Sequence, residues 1–165
     1  MAIAHLQAKI IGSGKSAVAS AAYRHRTRMF DELEGSHTHK YDKDKDLVHS
    51  EMNIPEDSPK WITQQLNSLK TNEKKSEWLW NTIQNSERIN GQLAREIVIA
   101  LPLELSKNQN ISLVREFVKE NFSSRGLVSD WVYHDKQGNP HVHIMHTLRP
   151  VTKDGFGAKK NSSLK

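Results

Sequence analysis

The fold is decided by residues 127–149, LVSDWVYHDKQGNPHVHIMHTLR. Its two halves, 127–134 and 141–149, are rich in β-branched, aromatic and alternating residues, which predicts two strands. The segment 135–140 between them ends in Gly138, Asn139 and Pro140, three residues that favour a tight turn. The stretch therefore predicts an antiparallel hairpin near the end of the chain.

Two further strands and several helices are predicted around that hairpin. Alternating apolar residues predict a half-buried strand over 2–11, and the apolar run 94–101 predicts a buried strand. Residues 31–57 are polar and irregular and are expected to hold one short hairpin. Helical patterns cover four segments: about 16–30, 59–70, 75–90 and 106–124. Long helices between separated strands predict an α+β fold, an antiparallel sheet with helices packed on one face and the other face open for a ligand.

The positive charge of the chain lies mostly at its two ends. The net charge is +5, and residues 1–30 hold five bases and no acid. Segregated positive charge predicts a polyanionic partner, most often nucleic acid, although a solvated lysine-rich surface is the alternative. The basic residues that we expect to contact such a partner are Lys9, Lys15, Arg24, Arg26, Arg28 and Arg149.

Several classes of protein are excluded by composition. The 165 residues suffice for a single domain, which we expect to span 1–165 with a basic, flexible tail over 152–165. No apolar run is long enough for a transmembrane helix, and the N-terminus does not resemble a signal peptide. The absence of cysteine excludes disulfides and thiolate metal sites, and it agrees with the cytoplasmic location that we expect.

Three histidines of the hairpin are predicted to converge on one point. If the loop is 135–140, His134 and His141 are paired across the two strands and share a face. His143 lies two residues beyond His141 and therefore projects from the same face. Three neutral imidazoles can bind one side of a divalent metal and leave other positions open for catalysis. The alternative is a histidine-rich but solvated strand pair, and the parity of the strand places His146 on the opposite face.

Three other residues are candidates for supporting roles near such a metal. In the strand 94–101, the parity that turns the isoleucines toward the helices turns Glu96 toward the open face, where a metal or a hydroxyl could use it. Asp130 has the same parity as His134 and could orient a ligand histidine. His5 on the first strand could approach the metal or the DNA. A simple exposed carboxylate is the alternative for Glu96, and a surface histidine is the alternative for His5.

Tyr23 lies in a basic setting on the first predicted helix. Ala19 and Ser20 leave room one turn earlier, and arginines follow at 24, 26 and 28. A phenol, with an ordinary pKa of about 10, needs help to act as a nucleophile. Nearby cations favour the phenolate, and a metal-held phosphate is a better electrophile. From the residues themselves, a packing role for Tyr23 remains the alternative.

An early tyrosine in a basic helix together with a late His-Val-His strand resembles the His-hydrophobe-His endonucleases. Within that superfamily the sequence resembles the MobA/MobL-type, TraA-like conjugative relaxases. The matching stretches are spread over nearly the whole chain in the expected order. They are SAVASAAYR (16–24), VHSE (48–51), LAREI (93–97), ALP (100–102), SRG (124–126), NPHVHI (139–144) and Arg149-Pro150.

The resemblance implies a sheet of about five antiparallel strands and a definite chemistry. Tyr23 would be the nucleophile that nicks DNA at a plasmid transfer origin, leaving a 5′-phosphotyrosyl link and a free 3′-hydroxyl. His134, His141 and His143 would bind the divalent metal, Mn²⁺ or Mg²⁺ in function with Zn²⁺, Ni²⁺ or Co²⁺ as further possibilities, and Glu96 matches an acidic position of the family. The implied partners are single-stranded DNA of the transfer origin, accessory relaxosome proteins and a coupling protein, with no membrane. The chain would then be an N-terminal fragment of a longer protein.

Three other functions remain open from the sequence. A replication-initiator nuclease of the same superfamily commonly places its tyrosine after the histidine pair, whereas Tyr23 precedes it. A three-histidine hydrolase that acts through metal-bound water would not need Tyr23. A DNA-binding module with a structural metal would not cut DNA.

Overall fold

The fold is described from a computed structural model. The structure describes residues 5–41, 46–136 and 138–160. The side chain of His5 lies outside the described part, and so do residues 161–165 of the predicted tail. The predicted role of His5 therefore stays a prediction.

The centre of the molecule is a five-stranded antiparallel sheet with the strand order β1-β5-β7-β6-β4. Its strands are β1 (His5–Ile11), β4 (Leu47–Asn53), β5 (Ala94–Ala100), β6 (Ser129–Lys136) and β7 (Asn139–His146). The described residues also form four α-helices: α1 (Ala17–Arg24), α2 (Lys60–Ser68), α3 (Asn72–Ser86) and α4 (Lys107–Asn121). The predicted α+β class with about five antiparallel strands is thus confirmed.

The hairpin of β6 and β7 has the predicted register but a shorter loop. The strands stay paired through Asp135 with Pro140 and Lys136 with Asn139, so the loop is not 135–140. Gly138 in the turn has φ +71°, a left-handed conformation that a tight hairpin turn requires. Pairing of His134 with His141 is unaffected, because shortening the loop by one cross-strand pair at a time preserves the register.

The four helices are distributed over both faces of the sheet. Helix α4 packs its Val114 and Val118 on the face that carries Ile97, Ile99, Trp131, Tyr133, Val142 and Ile144. Helices α1 and α3 pack on the opposite face, but only over the part that Ala94 and Met145 occupy. The predicted arrangement, with helices on one face only, therefore needs correction. The second face is half covered by helices, and the uncovered half carries the three histidines, of which His134 is buried and His141 and His143 are partly exposed.

Two predicted segments differ from the structure in length. Helix α1 ends at Arg24 rather than near residue 30, because Arg26 adopts a left-handed φ of +53°. Beyond it, β2 (Phe30–Asp31) pairs with β3 (Ser36–His37), which is the short hairpin expected in 31–57. Helix α3 begins a few residues earlier than predicted, since Thr71 caps its N-terminus. It also ends a few residues earlier, at Ser86.

The first described residues of the predicted tail form a small hairpin. It consists of the strands β8 (Val151–Thr152) and β9 (Gly155–Phe156). The ring of Phe156 packs edge-on against Trp61 at 5.4 Å, and the Trp61 indole donates to the Thr152 carbonyl. These two contacts hold the small hairpin against α2, and the predicted flexibility of residues 152–165 stays a prediction.

Gly126 ends the turn that follows α4, as predicted. It has φ +81°, in the left-handed region where glycine is favoured. A Cβ atom at this position would lie 3.0 Å from the Cβ of Pro150. The glycine therefore allows both the turn and the close approach of the chain that leads into β8.

Candidate metal centre and nucleophile

The three histidines of the hairpin meet on the uncovered half of the sheet. His134 and His141 are direct cross-strand partners, and His143 follows on the same face of β7. Their ring centroids are 5.6 Å (134–141), 5.3 Å (134–143) and 5.1 Å (141–143) apart. One ring nitrogen from each lies within 4.8 Å of the other two, close enough for all three to bind one ion.

Backbone carbonyls orient two of these imidazoles. His134 Nε2 lies 3.1 Å from the Arg24 carbonyl, and His141 Nδ1 lies 2.9 Å from the Asn139 carbonyl. A ring N–H that donates to a carbonyl leaves the other nitrogen with its lone pair, which is the form that binds a metal. His143 Nδ1 is buried and has no hydrogen-bond partner within the described ranges. The donor set thus fits a divalent metal.

The electrostatic surroundings keep two of the histidines neutral. Burial lowers the pKa of His134 to about 4, and the Arg26 guanidinium adds to the effect. Burial also lowers the pKa of His143 to about 2, with contributions from Arg24 and from the neighbouring imidazoles. Both rings are therefore uncharged at neutral pH, and an uncharged imidazole keeps one nitrogen whose lone pair can bind a metal.

Tyr23 lies at the exposed C-terminal end of α1 and is 43% exposed. The guanidinium carbons of Arg24 and Arg26 lie 5.0 Å and 4.9 Å from the centre of its ring. The ring also contacts Tyr41 edge-on at 5.1 Å. An accessible phenol close to two cations can meet a phosphate, which a ring packed in the core could not do.

The end of α1 contacts the metal centre directly. The Arg24 carbonyl receives the His134 hydrogen bond, and Arg26 Nη2 lies 3.4 Å from His134 Nδ1. Arg26 also donates to the Tyr23 carbonyl at 2.7 Å. The structure therefore brings the predicted nucleophile and a predicted metal ligand into one connected site.

Glu96 is on the predicted face of β5, but both of its carboxylate oxygens are paired with basic side chains. Its carboxylate accepts two hydrogen bonds from Arg24, both at 2.7 Å, and Lys9 lies 3.4 Å away. Glu96 is only 1% exposed. It thus fixes the Arg24 side chain, and a direct contact with a metal or a hydroxyl would require that ion pair to open.

Asp130 does not orient a ligand histidine, in contrast to the expectation from its parity. Its buried carboxylate accepts hydrogen bonds from His25, Ser76 and Trp80, at 2.7, 2.5 and 2.9 Å. These partners come from α3 and from the residue after α1, because α1 and α3 cover this part of the sheet. His25 was not predicted, since nothing in the sequence signals a pair separated by 105 residues.

The basic residues predicted to bind DNA fall into three groups. Lys9, Lys15 and Arg28 are exposed, while Arg24 and Arg26 flank Tyr23. Arg149 differs, since its Nε donates to Glu87 at 2.6 Å and its Nη1 to the carbonyls of Gly157 and Ala158. That guanidinium holds the chain after β9 against the end of α3, so the predicted contact of Arg149 with phosphate would require these bonds to open.

The fold and the site together define an α+β protein with a candidate three-histidine metal centre beside an exposed tyrosine. The sequence model of the MobA/MobL family matches residues 15–164, and the chain belongs to this family. The membership confirms the resemblance that the motifs indicated.

Relatives of known description agree with this assignment. The chain is 49% identical over 163 residues to the conjugal transfer protein TraA of Agrobacterium fabrum, covering 97% of this chain and 15% of that protein. It is 35% identical to the 43 kDa relaxation protein of Salmonella typhimurium, covering 90% of this chain and 35% of the relative. The chain therefore spans only a small part of the curated relatives that it matches.

A solved structure has the same fold. It is described as "Molecular Basis of Vancomycin Resistance Transfer in Staphylococcus aureus" and superposes with a TM-score of 0.76 at 31% identity, covering 98% of this chain and 78% of that chain. Separately, none of the helices in the described ranges has the length and apolarity needed to cross a membrane.

Proposed function

We propose that this chain nicks one DNA strand at a plasmid transfer origin and remains attached to it through Tyr23, as a step of conjugative transfer. The observation that carries the proposal is the joining of Tyr23 and three convergent imidazoles through the end of α1. Membership of the MobA/MobL family and the descriptions of its relatives, conjugal transfer and relaxation proteins, support it. The partners would be single-stranded DNA of the transfer origin, accessory relaxosome proteins and a coupling protein.

The proposed reaction is a transesterification at phosphorus. The Tyr23 oxygen attacks the scissile phosphorus, and the bond from phosphorus to the 3′ oxygen breaks. The phenol gives its proton to water, and the departing 3′ oxygen takes up one proton to become a free hydroxyl. One phosphoester bond is exchanged for another, so the 5′-phosphotyrosyl link can be reversed without an energy source.

The residues beside Tyr23 would hold the phosphate for that attack. Arg24 and Arg26 place two cations next to the ring, and Glu96 fixes the first of them by two hydrogen bonds. Guanidinium groups bind phosphate oxygens well because their N–H groups match the spacing of the oxygens. Exposed Lys9, Lys15 and Arg28 would contact neighbouring phosphates of the strand.

His134, His141 and His143 would hold the divalent metal, Mn²⁺ or Mg²⁺ in function. When bound, the metal supplies a Lewis acid that polarises the scissile phosphate and neutralises charge in the transition state. The chain's own contribution is to keep His134 and His143 neutral and to leave ligand positions for phosphate oxygens. Phosphate oxygens favour these hard cations, whereas imidazoles by themselves favour zinc, nickel or cobalt.

The test is covalent capture of labelled single strands that tile the transfer origin, in the presence of Mn²⁺. We expect an adduct that survives denaturing electrophoresis for the native chain and for Tyr41→Phe, and none for Tyr23→Phe. Tyr41 is the matched control because its ring contacts Tyr23. Strand cleavage that persists in Tyr23→Phe would show a metal-dependent hydrolase instead, and DNA binding without any cleavage would show a non-catalytic module.

A further inference from the structure

The buried carboxylate of Asp130 holds the end of the helix that carries Tyr23. It takes three hydrogen bonds, and the one from His25 comes from the residue that caps α1. His25 is itself buried, and its backbone N–H donates to the Ala21 carbonyl. Hydrogen bonds therefore fix both the side chain and the backbone of His25. The position of His25 therefore determines where the last turn of α1 lies on the sheet.

Two carboxylates in one cross-strand row bind Arg24, the last residue of α1, and His25, the residue that follows it. In that row Met145 of β7 pairs with Glu96 on one side and with Asp130 on the other. Arg24 binds Glu96 and His25 binds Asp130, while the Arg24 carbonyl reaches His134, four residues further along the same face of β6 as Asp130. Contacts with three side chains on two strands, β5 and β6, therefore fix the chain immediately after Tyr23.

We propose that Asp130 and His25 form a positioning pair that sets Tyr23 relative to the three histidines. This inference rests on the proposed function, because it assigns the pair to the chemistry of Tyr23. Neither residue touches the reacting atoms, so the pair acts through the backbone of Tyr23 and Arg24. A displacement of a nucleophile by about 1 Å can slow a reaction on the order of a hundredfold, which is the scale of the effect expected.

Kinetics test the pair with three variants and one matched control. Asp130→Asn removes the charge, His25→Leu removes the donor, and His25→Gln keeps an amide donor of similar reach. Asp31→Asn is the control, since Asp31 is an equally buried carboxylate that binds Ser16 at the opposite end of α1. All are compared at saturating labelled single strand and saturating Mn²⁺.

We expect the rate of adduct formation to fall about a hundredfold in Asp130→Asn and His25→Leu, with the Kd values for Mn²⁺ and single strand within about threefold of the native values. His25→Gln should lose less than tenfold, and Asp31→Asn less than threefold even where it lowers the melting temperature. Because both residues act through one contact, the double variant Asp130→Asn/His25→Leu should form the adduct no more slowly than the slower of its two single variants. Equal losses in rate and in both affinities, or a loss in Asp31→Asn as large as in Asp130→Asn, would overturn the proposal.

Fluorine NMR tests the same proposal without DNA. The chain has three tyrosines, so incorporation of 3-fluorotyrosine gives three resonances, each assigned by a tyrosine-to-phenylalanine change. In the metal-free protein, Asp130→Asn and His25→Leu should shift or broaden the Tyr23 resonance, because its contacts with the flanking arginines and Tyr41 change. The Tyr133 resonance, on the face of the sheet covered by α4, should stay within its native line width.

The cobalt-bound protein adds a distance-sensitive readout. Co²⁺ bound by the three histidines should displace the Tyr23 resonance by an amount that differs between native protein and Asp130→Asn, while the displacement of Tyr133 stays the same. An unchanged Tyr23 resonance in both metal-free and cobalt-bound Asp130→Asn would sink the inference. Absence of any adduct in the native chain would instead refute the proposed function, and the metal-free spectra would still decide whether the pair positions Tyr23.

Discussion

Replacing Arg149 by alanine should destabilise the fold and leave DNA binding unchanged. The Arg149 side chain is 26% exposed, and the Glu87 carboxylate that it binds is 5% exposed. Its Nη1 also donates to the Gly157 carbonyl at 3.1 Å. Truncation therefore breaks a charge-assisted pair with a nearly buried partner and removes the donor that fixes the segment after β9.

The size of the effect follows from this partial burial. Exposed ion pairs contribute roughly 0.2–1 kcal/mol, whereas hydrogen bonds to charged groups contribute roughly 1.5–3 kcal/mol. Because Arg149 is partly exposed and Glu87 keeps Lys160 at 3.5 Å, an intermediate loss of about 1–2 kcal/mol is expected. In a domain of this size that corresponds to a fall in melting temperature of about 2–8 °C.

The assay pairs urea unfolding with the salt dependence of single-strand binding. Each phosphate contact contributes about 0.7 to the slope of log affinity against log salt. Arg149→Ala should leave that slope unchanged, whereas Arg28→Ala should lower it and leave stability unchanged. Exposed Arg88, which lies beside Glu87 in sequence, is the control for loss of one positive charge. Unchanged stability and a reduced slope in Arg149→Ala would show that the arginine binds phosphate after all.

Three other outcomes are expected. Gly126→Ala should lower the free energy of unfolding in urea by about 1–2 kcal/mol from the left-handed backbone, with a further loss from contact with Pro150. Gly35→Ala, at φ +70° with open space around it, should show the backbone part only, and equal losses would refute the contact. Glu51 has a lowered pKa because hydrogen bonds from α4 and β4 outweigh its burial, so it stabilises the fold above its ordinary pKa of 4.5 and loses that contribution as pH falls through the lowered value. The stability difference between native protein and Glu51→Gln should therefore shrink from pH 7 toward pH 3, and a difference constant with pH would contradict the shift. Mn²⁺ at a hundred times its Kd should raise the free energy of unfolding by about 2.7 kcal/mol, and EDTA or His143→Ala should abolish the gain. A full gain in His143→Ala would exclude that residue as a ligand.

The convergence of the histidines could be predicted because it depends only on local rules. In a hairpin the register and the two-residue period of strands determine which side chains share a face, and neither changes with the length of the turn. The same parity placed His146 correctly on the opposite face, where it stacks on Phe122 at 4.2 Å. Local rules were also sufficient for β5 and for the left-handed turn at Gly126.

The rest of the site depends on contacts between distant segments. Strand β4, at the edge of the five-stranded sheet, was not predicted. All of its residues are half-buried, so its sequence does not alternate between apolar and polar residues. The Arg24–Glu96 pair joins residues 72 apart, and nothing local distinguishes it from two exposed charges. Asp130 was assigned to the right face but to the wrong partner, since the parity of a strand does not reveal which helix lies above it.

The location of the candidate site follows from the incomplete cover on the second face of the sheet. Helices α1 and α3 cover the row that contains Asp130, and only the last residue of α1 reaches His134. Four residues of strand separate these two side chains by about 13 Å. At this boundary Tyr23 can be anchored through a buried pair and still reach solvent, while His141 and His143 stay partly exposed beside the buried His134. A sheet fully covered on this face would bury the metal, and a bare one would leave the tyrosine without a support. The half-covered sheet is therefore the feature of the fold on which the proposed chemistry depends.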